Sequence, residues 1–434
     1  MRRLRVLTWH VHGSYLYYLT QAPHEFYLPV KPGRPEGYGG RSGSFPWGAN
    51  VHEVPVEAVA QQQFDVVLFQ SRRNYECDQF EVLDAAQRRL PRVYLEHDPP
   101  RESPTDTRHP VDDPDVLLVH VTPFNALMWD AGRTPVRVVE HGVVVPDDAV
   151  YSGELARGVV VVNDLARRGR RLGRDVFDRL RAHVPLDLAG MDSAALGGLG
   201  DLPLRELHAR LGRYRFFFNP IRYTSLGLAV CEAMMIGLPI LGLATTEMST
   251  AVQRGVNGYV ETDLDRLLAH MRRLLADPAE AAELAAGARR IARQRFGIAR
   301  FVADWSRVLG EVTGCPEGHL IAPATGCPES QVVAPADLSG CPEGQLMAPA
   351  PGCPESQVGA PAELDACPEG QLMAPAPGCP ESQVVAPAEL DVCPEGQLAT
   401  PGGSPACPED QVGALAGITA CPAGQAPEPP RRTA

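Results

Sequence analysis

The amino-acid sequence predicts an α/β fold made of doubly wound parallel sheets, followed by a tail of different character. Short apolar strands alternate with helix-forming segments as far as residue 312, the pattern of parallel strands connected by helices. Residues 158–162 contain four consecutive valines, as expected of a strand buried on both faces. Residues 4–9 are apolar and lead into a turn at Gly13 and a helical segment, the first unit of such a sheet.

Each half of the region before the tail supplies the elements of one sheet. In the first half the predicted strands are residues 4–9, 64–70, 91–96, 116–121 and 136–140, and the predicted helices are residues 81–89 and 122–130. In the second half the predicted strands are residues 158–162, 186–190, 215–219 and 238–244, with helices at residues 175–183, 204–211, 226–235, 264–276, 279–295 and 301–312. Residues 29–50 are rich in Gly, Pro, Arg and Ser, which predicts a loop or lid.

Charge is distributed unevenly along the chain. The 434 residues carry a formal net charge of −13, and residues 313–434 account for all of it with 15 acidic residues against 2 Arg. The preceding residues are neutral, which argues against nucleic acid as a partner because phosphate backbones require clustered positive charge. Lys31 is the only Lys, so a phosphate site would have to use Arg, whose guanidinium binds in a bidentate fork.

The sequence also bears on the cellular compartment. The N-terminus is basic but has no long apolar segment or small-residue cleavage site, so no signal peptide is predicted. No run of about 18 uncharged apolar residues occurs, so no transmembrane segment is predicted, and peripheral membrane contact stays open. The region before the tail contains only Cys77 and Cys231, which predicts reduced thiols in a cytoplasmic protein.

One apolar segment of the second half carries an isolated carboxylate. Residues 219–225 form a polar loop that leads into a helix with Thr224 or Ser225 as its cap, and Glu232 is the charged residue of that helix. A buried carboxylate is costly unless it is hydrogen-bonded. The pattern fits a ligand with phosphate at the helix N-terminus and hydroxyl groups deeper, or a buried helix whose Glu232 binds a neighbouring backbone. The backbone N–H groups that would hold the anion belong to Ser225, Leu226, Gly227 and Leu228.

The segments CEAMMIGLPI and GVNGYV resemble the donor-site signature of retaining GT-B glycosyltransferases of the large family 4. The resemblance covers roughly residues 1–312 and is specific in residues 219–260. It implies two Rossmann-like domains facing a cleft, residues 1–150 on the acceptor side and 151–312 on the nucleotide-sugar side. It also implies that Glu232 binds the donor ribose. The family has another Glu beside the transferred sugar, and this chain has Thr224 there; Thr250 lies near the place of a third family Glu.

Basic residues follow the strand of four valines. In the family an Arg, four residues and a Lys-Gly pair follow the corresponding strand, and the Arg and Lys bind the donor diphosphate. Ungapped alignment places Asn163 at the Arg and Arg168 at the Lys, so Arg170 or Arg171 would compensate for Asn163. Four Arg within five residues opening a helix are unfavourable with the helix dipole unless an anion neutralises them. This favours phosphate binding over a solvated basic surface.

Polar residues at strand ends of the first half form the remaining candidate set. His12 adjoins Gly13, and in the family this turn approaches the donor phosphates or the acceptor. His97 and Asp98 follow the third strand and precede two prolines, and the resemblance places His97 beside the donor sugar and acceptor. Arg72 is a candidate for an acceptor anion. A structural alternative exists for each: a core histidine, a histidine that fixes the proline turn, and a solvated arginine.

The tail is repetitive. Cys-Pro recurs from Cys315 to Cys421 at alternating spacings of mostly 12 and 14 residues, giving a repeat of about 26 residues that is rich in Pro, Ala and Gly. Without aromatic residues it cannot bury enough apolar surface to offset its ordering entropy, so a disordered, polyproline-like tail is predicted. Single Cys residues lack the paired spacing of zinc sites. Several roles of the tail are compatible with this sequence: haem sensing, intermolecular disulfides, a thiol-dependent partner, surface display, or a duplication with little function.

Together these features predict a transferase that moves a sugar from a nucleotide-sugar donor to a hydroxyl of a glycan, lipid or small-molecule acceptor, with retention. Under the resemblance, His97 and Thr224 lie at the transferred sugar. Arg168 and the helix N-terminus hold the diphosphate and stabilise the leaving group, so no metal and no cofactor are expected. Two alternatives are a non-catalytic protein that binds a nucleotide sugar or glycan on the same fold, and an interaction or redox function carried by the tail.

Overall fold

The computed structural model describes residues 2–314, and within them the chain forms two β-sheets flanked by helices. The strand pairings of both sheets are parallel. This confirms the predicted α/β fold with doubly wound sheets. None of the helices in this part of the chain is long and apolar enough to span a membrane. The predictions for the Cys-Pro tail lie outside the described residues.

The N-terminal lobe is a seven-stranded sheet with its helices. Its strands are β1 (Arg5–Thr8), β2 (Glu25–Val30), β3 (Val51–Pro55), β4 (Val66–Phe69), β5 (Arg92–Glu96), β6 (Val116–His120) and β7 (Val136–Val138), and its helices are α1 (Gly13–Leu19), α2 (Val56–Val59), α3 (Gln79–Val82) and α4 (Pro123–Met128). The strands lie in the order β3-β2-β1-β4-β5-β6-β7. Every residue of β4 and β6 is buried, because hydrophobic cores cover both faces of the sheet.

Two strands of this lobe, β2 and β3, were not expected from the sequence. The predicted loop over residues 29–50 is shorter, since Pro29 lies within β2. β3 is the edge strand, so its His52 and Glu53 reach solvent. The sequence there consequently lacks the continuous apolar run of a strand buried on both faces.

The helix predicted over residues 81–89 is divided into α3 and a 3₁₀ turn at Gln87–Arg89. Leu83 adopts an extended conformation directly after α3. Asp84 then accepts hydrogen bonds from the backbone N–H groups of Ala86 and Gln87. Its carboxylate therefore starts a separate turn instead of continuing the helix.

The C-terminal lobe is a five-stranded sheet with its helices. Its strands are β8 (Leu155–Val161), β9 (Leu186–Ala189), β10 (Tyr214–Asn219), β11 (Ile240–Leu243) and β12 (Gly258–Glu261), and its helices are α5 (Leu165–Arg168), α6 (Arg174–Arg181), α7 (Leu204–Leu211), α8 (Leu228–Ile236), α9 (Met248–Ala251), α10 (Leu264–Ala276) and α11 (Pro278–Arg295). The strands lie in the order β12-β11-β10-β8-β9. The four strands predicted for this half correspond to β8, β9, β10 and β11.

Helix α8 begins two residues later than predicted. Its N-cap is Gly227, whose backbone is extended, and no side chain caps the helix. The predicted caps Thr224 and Ser225 are therefore wrong, because both residues precede the N-cap position. At the other end, Gly237 adopts φ 107°, a left-handed conformation that terminates the helix as predicted.

The last described helix, α12 (Ile298–Thr313), returns to the N-terminal lobe and packs against α1 and β4. Phe301 and Trp305 of α12 are fully buried, and burial of side chains of this size contributes about 1.5–3 kcal/mol each. The indole N–H of Trp305 donates a hydrogen bond of 3.1 Å to the Tyr15 hydroxyl in α1. This helix therefore ties the two lobes together behind the ends of their strands.

Candidate functional site

The candidate site lies where the carboxyl ends of the two sheets meet. The strand order reverses between β1 and β4 in one lobe and between β8 and β10 in the other, and open α/β sheets bind ligands at such switch points. His12 follows β1 and Asp98 follows β5, while Arg168 follows β8 and Thr224 follows β10. The Thr224 hydroxyl donates a hydrogen bond of 3.2 Å to Asp98 Oδ1. These segments of the two lobes are therefore in direct contact.

Two histidines, His97 and His141, lie against Tyr15 on the N-terminal side of the site, and His12 lies against His97. The ring centroids of His12 and His97 are 4.1 Å apart, and those of Tyr15 and His97 are 4.8 Å apart. His141 lies 5.8 Å from Tyr15, and its Nε2 donates a hydrogen bond of 2.7 Å to the Leu226 carbonyl. The structure therefore brings the predicted His12 and His97 together and adds His141, which the sequence analysis left outside the site.

Burial disfavours the charged form of these histidines. Desolvation, followed by repulsion from His12 and His141, holds the pKa of His97 well below its usual value. Burial lowers the pKa of His141 to about 4. His12 keeps an exposed edge, yet surrounding protein atoms desolvate its ring and lower its pKa against the attraction of Asp98. The buried Nε2 of His97 has no hydrogen-bond partner within residues 2–314, although buried polar atoms normally have one.

Arginines on the C-terminal side divide into two groups. The exposed Arg167 and Arg170 form ion pairs with Asp residues of the same lobe. The half-buried Arg168 and Arg171 form no hydrogen bond or ion pair through their guanidinium groups with any described residue. Burial and then repulsion from Arg171 lower the pKa of Arg168, while Asp98 raises it. These guanidinium groups are crowded without enough negative charge to offset them, which is the electrostatic condition of an anion site.

The four arginines do not stand at the N-terminus of a helix, so the predicted conflict with a helix dipole is wrong. They lie in the last turn of α5 and in the 3₁₀ turn Gly169–Leu172, so they do not open a helix. A helix dipole favours cations at the C-terminal end, and only their missing counter-charge argues for an anion. Arg170 already pairs with Asp175, whereas the Arg171 guanidinium has no such partner among the described residues. Which of the two compensates for Asn163 stays a prediction, and Arg171 is the more available.

Glu232 lies inside the boundary between the lobes. It is 3% exposed, and its Oε1 accepts a hydrogen bond of 2.8 Å from the Tyr18 hydroxyl in α1. Its Oε2 lies 3.3 Å from His208 Nε2 in α7. The hydrogen bond from Tyr18 helps an apolar helix accommodate this carboxylate, whereas His208 Nε2 is near it without forming a hydrogen bond. The role of Glu232 as a ribose ligand stays a prediction, and protein groups face both of its oxygens in this structure.

Three other candidates have structural contacts. Gly13 begins α1, and a Cβ at this position would lie 2.8 Å from the Phe45 ring, so close packing requires Gly. Asn163 Oδ1 accepts a hydrogen bond of 2.9 Å from the backbone N–H of Met191. Arg72 is exposed and pairs with a glutamate one helical turn away. Their ligand roles stay predictions.

The segment between β10 and α8 combines a buried, unpartnered hydroxyl with open space beside Gly227. Ser225 is 8% exposed, and its hydroxyl has no hydrogen-bond partner among the described residues. No atom lies within 4 Å of where a Cβ on Gly227 would stand, so space is open beside the helix N-terminus. Leu226 and Leu228 flank this glycine. The first turn of α8 has no side-chain cap, so its N–H groups suit an anion.

Sequence reasoning missed the ion-pair network beside this segment. Arg295 at the end of α11 pairs with both Glu140 and Glu247. Glu247 is 2% exposed and also accepts a hydrogen bond of 3.1 Å from the backbone N–H of Phe124 in the other lobe. These residues are far apart in the chain and belong to no local motif, so the sequence carries no signal for the network.

Comparison with known proteins finds glycosyltransferases similar to part of this chain. Residues 187–277 match the family model described as glycosyl transferases group 1. A D-inositol 3-phosphate glycosyltransferase from Salinispora tropica is 31% identical over 229 residues, which cover 42% of this chain and 47% of that protein. The chain thus spans about half the length of the relative it matches.

Two solved structures align with the fold of this chain. Sucrose-phosphate synthase from Thermosynechococcus elongatus aligns with a TM-score of 0.55 at 14% identity, covering 72% of this chain and 100% of that chain. The Anabaena protein Alr3699/HepE, in complex with UDP and glucose, aligns with a TM-score of 0.50 at 15% identity, covering 71% and 100%. The described chain therefore has the GT-B fold, and its residues 187–277 match the model for glycosyl transferases group 1.

Proposed function

We propose that this chain is a glycosyltransferase that moves a sugar from a nucleotide-sugar donor to a hydroxyl acceptor with retention of configuration. The observation that carries the proposal is the pair of half-buried guanidinium groups on Arg168 and Arg171, which lack a carboxylate partner among residues 2–314. They follow β8 at the switch point of the C-terminal sheet. A diphosphate supplies the missing negative charge, and its planar oxygen pairs suit the guanidinium fork.

The proposed chemistry depends on charge that develops on the leaving nucleoside diphosphate. Arg168, Arg171 and the uncapped first turn of α8 stabilise this charge more in the transition state than in the bound donor. Fixed donors in a site shielded from water act without reorganisation. In this proposal protein cations and backbone N–H groups neutralise the diphosphate without assistance from a metal.

The histidine side of the site is proposed to contact the transferred sugar. His97 is held in its neutral form and its Nε2 lacks a partner among the described residues. A neutral imidazole nitrogen can donate to or accept from a hydroxyl group according to its tautomer. His12 lies against His97 and extends the same surface toward the exposed edge, where the acceptor would enter.

The named relatives guide the choice of ligands. HepE was solved with UDP and glucose, and the Salinispora relative is a D-inositol 3-phosphate glycosyltransferase. We therefore propose a UDP-sugar as the first donor class to test. A glycan, lipid or small-molecule hydroxyl serves as acceptor.

The test is nucleotide binding and donor turnover by the full-length chain. Calorimetric titration with UDP should show binding, and incubation with UDP-glucose and an acceptor panel should release UDP with transfer of glucose. Replacing Arg168 and Arg171 together by Ser should weaken UDP binding by roughly 100-fold or more, because each charge-assisted hydrogen bond contributes about 1.5–3 kcal/mol.

The matched control replaces Arg167 and Arg174, which already form ion pairs with Asp164 and Asp178. This variant removes the same charge from the same segment and should bind UDP as the wild type does. If both double variants lose the same affinity for UDP, the loss is due to net charge alone, and the proposed diphosphate site is overturned. The anomeric configuration of the product, read by NMR, tests retention separately.

A second candidate function is nucleotide-sugar binding without transfer. It is favoured by the enclosure of Glu232 between Tyr18 and His208, which leaves no side-chain oxygen facing a ligand from α8. The position of Thr224 adds to it, since the resemblance implies a carboxylate there. UDP binding without turnover of any donor and acceptor combination would support this candidate over the transferase.

A further inference from the structure

We propose that Asp98 is the carboxylate that binds the transferred sugar, and that it recognises two neighbouring hydroxyl groups. This inference rests on the proposed function, because it assigns the sugar part of the same donor site. The observation that leads to it is the hydrogen bond from the Thr224 hydroxyl to Asp98 Oδ1 across the lobe boundary. The N-terminal lobe therefore supplies a carboxylate beside Thr224 of the C-terminal lobe.

The backbone of Asp98 is fixed on both sides. Its N–H donates a hydrogen bond of 2.8 Å to Glu96 Oε1, and its carbonyl accepts one of 2.8 Å from the indole N–H of Trp129. His109 stands behind Glu96 and is buried. His109 Nδ1 accepts from the backbone N–H of Val111, so Nε2 carries the proton and donates to Glu96 Oε2 at 3.2 Å. Binding groups are effective when neighbouring residues hold them in place in this way.

The Asp98 carboxylate retains acceptor capacity for a ligand. Thr224 donates to Oδ1 and the guanidinium of Arg101 donates to Oδ2. A carboxylate offers about four acceptor positions, so about two are left, one on each oxygen. Two adjacent hydroxyl groups of a pyranose match this arrangement. The Asp98 side chain is 24% exposed, which gives a ligand access to it.

The charges around Asp98 place the sugar subsite next to the diphosphate subsite. The Arg171 carbonyl accepts hydrogen bonds from the backbone N–H groups of Arg222 and Tyr223. The next residue, Thr224, donates to Asp98, so the arginine segment and Asp98 are neighbours. Neither guanidinium of the diphosphate subsite forms a hydrogen bond with Asp98 in the described structure. The carboxylate and the two cations are therefore separate binding groups. In a nucleotide sugar the sugar hydroxyl groups lie next to the diphosphate, which matches a carboxylate that lies next to two cations.

The competing explanation is that Asp98 only joins the two lobes through Thr224 and Arg101. A substitution that simply abolishes activity would fit both explanations. The two differ in what a relocated carboxylate should do. Because the Thr224 hydroxyl reaches Asp98 Oδ1, a Glu side chain at position 224 can bring a carboxylate to the same place. Such a side chain binds the sugar again and restores discrimination among deoxy donors, which a renewed hydrogen bond between the lobes alone would not do.

The experiment compares Asp98→Ser, Thr224→Glu and the double variant in the full-length chain, with the surface substitution Asp106→Ser as control. Each is titrated with UDP alone and assayed with UDP-glucose and with UDP-2-deoxyglucose, UDP-3-deoxyglucose and UDP-4-deoxyglucose. Asp98→Ser should bind UDP within about threefold of the wild type, lose roughly 100-fold in kcat/KM for UDP-glucose, and lose discrimination against one adjacent pair of deoxy donors. Retained UDP binding shows that the variant is folded.

The double variant decides between the explanations. It should recover about tenfold or more of the kcat/KM lost in Asp98→Ser, while Thr224→Glu alone should be impaired because two carboxylates then compete for one position. Unchanged discrimination among deoxy donors in Asp98→Ser, or no recovery in the double variant, would overturn the inference and leave the proposed transferase intact. A wild type that binds no UDP and turns over no donor would overturn the proposed function and this inference together.

Discussion

Two carboxylates stand at the boundary between the lobes, and their surroundings differ. Glu232 is 3% exposed, with the Tyr18 hydroxyl bonded to one oxygen and His208 near the other. The Asp98 side chain is 24% exposed and has an acceptor position left on each oxygen. Both carboxylates keep unused acceptor positions, so solvent access is what distinguishes the enclosed Glu232 from Asp98, which a ligand can reach.

The largest expected effect comes from removing the enclosed carboxylate. Glu232→Ala leaves the Tyr18 hydroxyl buried without its acceptor, which costs about 1–3 kcal/mol, and leaves a cavity, since large-to-small core substitutions cost about 2–5 kcal/mol. The free energy of unfolding, measured by urea denaturation at pH 7, should fall by about 4 kcal/mol.

Asp98→Ser is the matched variant for this measurement, because its neighbours keep access to solvent and its cost should be about 1 kcal/mol. A Glu232→Ala protein with wild-type stability and no affinity for UDP would reverse the comparison. Glu232 would then act as the ribose ligand that the resemblance implies, and its enclosure would have to open when a nucleotide binds.

The next largest effect concerns His141. This residue contacts Tyr15 in the N-terminal lobe and donates a hydrogen bond to the Leu226 carbonyl in the C-terminal lobe. Burial lowers the pKa of His141 to about 4, below the unfolded value of about 6.5. The unfolded chain therefore binds this proton more readily than the native protein. The resulting stability is fully present above about pH 6.5 and is lost as pH falls toward 4, a change of about 3 kcal/mol.

His141→Gln keeps a donor for the Leu226 carbonyl but cannot take up a proton in this range. Urea denaturation at pH 7 and pH 4.5 should show a smaller loss of stability in this variant than in the wild type, by about 2–3 kcal/mol. The exposed His183→Gln serves as control and should keep the wild-type pH dependence. If His141→Gln loses as much stability between pH 7 and pH 4.5 as the wild type, His141 does not cause the acid sensitivity. Other buried histidines such as His24 and His120 would then account for it.

Much of the fold could be predicted from the sequence because local patterns determine it. The four valines at the end of β8 give a clear apolar run, and the long amphipathic helices α10 and α12 give strong periodic signals. β2 and β3 gave none, because Pro29 interrupts one and polar residues of an edge strand interrupt the other. The candidate site was less predictable. The hydrogen bond between Thr224 and Asp98 joins residues 126 positions apart, and no local pattern shows that one lobe supplies a carboxylate beside the other.

The arginines show the same limit on a smaller scale. The sequence shows four Arg within residues 167–171 but cannot show which of them have partners. In the structure, acidic residues of the same lobe pair with Arg167 and Arg170, and Arg168 and Arg171 are left without such partners among the described residues. Composition identified the segment, and only tertiary contacts distinguish its binding residues from its solvated ones.

The smallest effect tests whether the backbone anchoring of Asp98 matters for function. Trp129→Phe keeps an aromatic ring against His109 but removes the hydrogen bond of 2.8 Å to the Asp98 carbonyl, which should cost about 1 kcal/mol in stability. Tyr151→Phe is the control, because it removes a similar hydrogen bond of 3.0 Å to the Arg215 carbonyl away from the site. Both variants should lose similar stability and bind UDP normally, while only Trp129→Phe should lower kcat for UDP-glucose, by roughly tenfold, because Asp98 is then less well positioned. Equal kcat values in the two variants would show that Asp98 needs no anchor beyond its contacts with Thr224 and Arg101, and would place Asp98 closer to Glu232 as a structural tie.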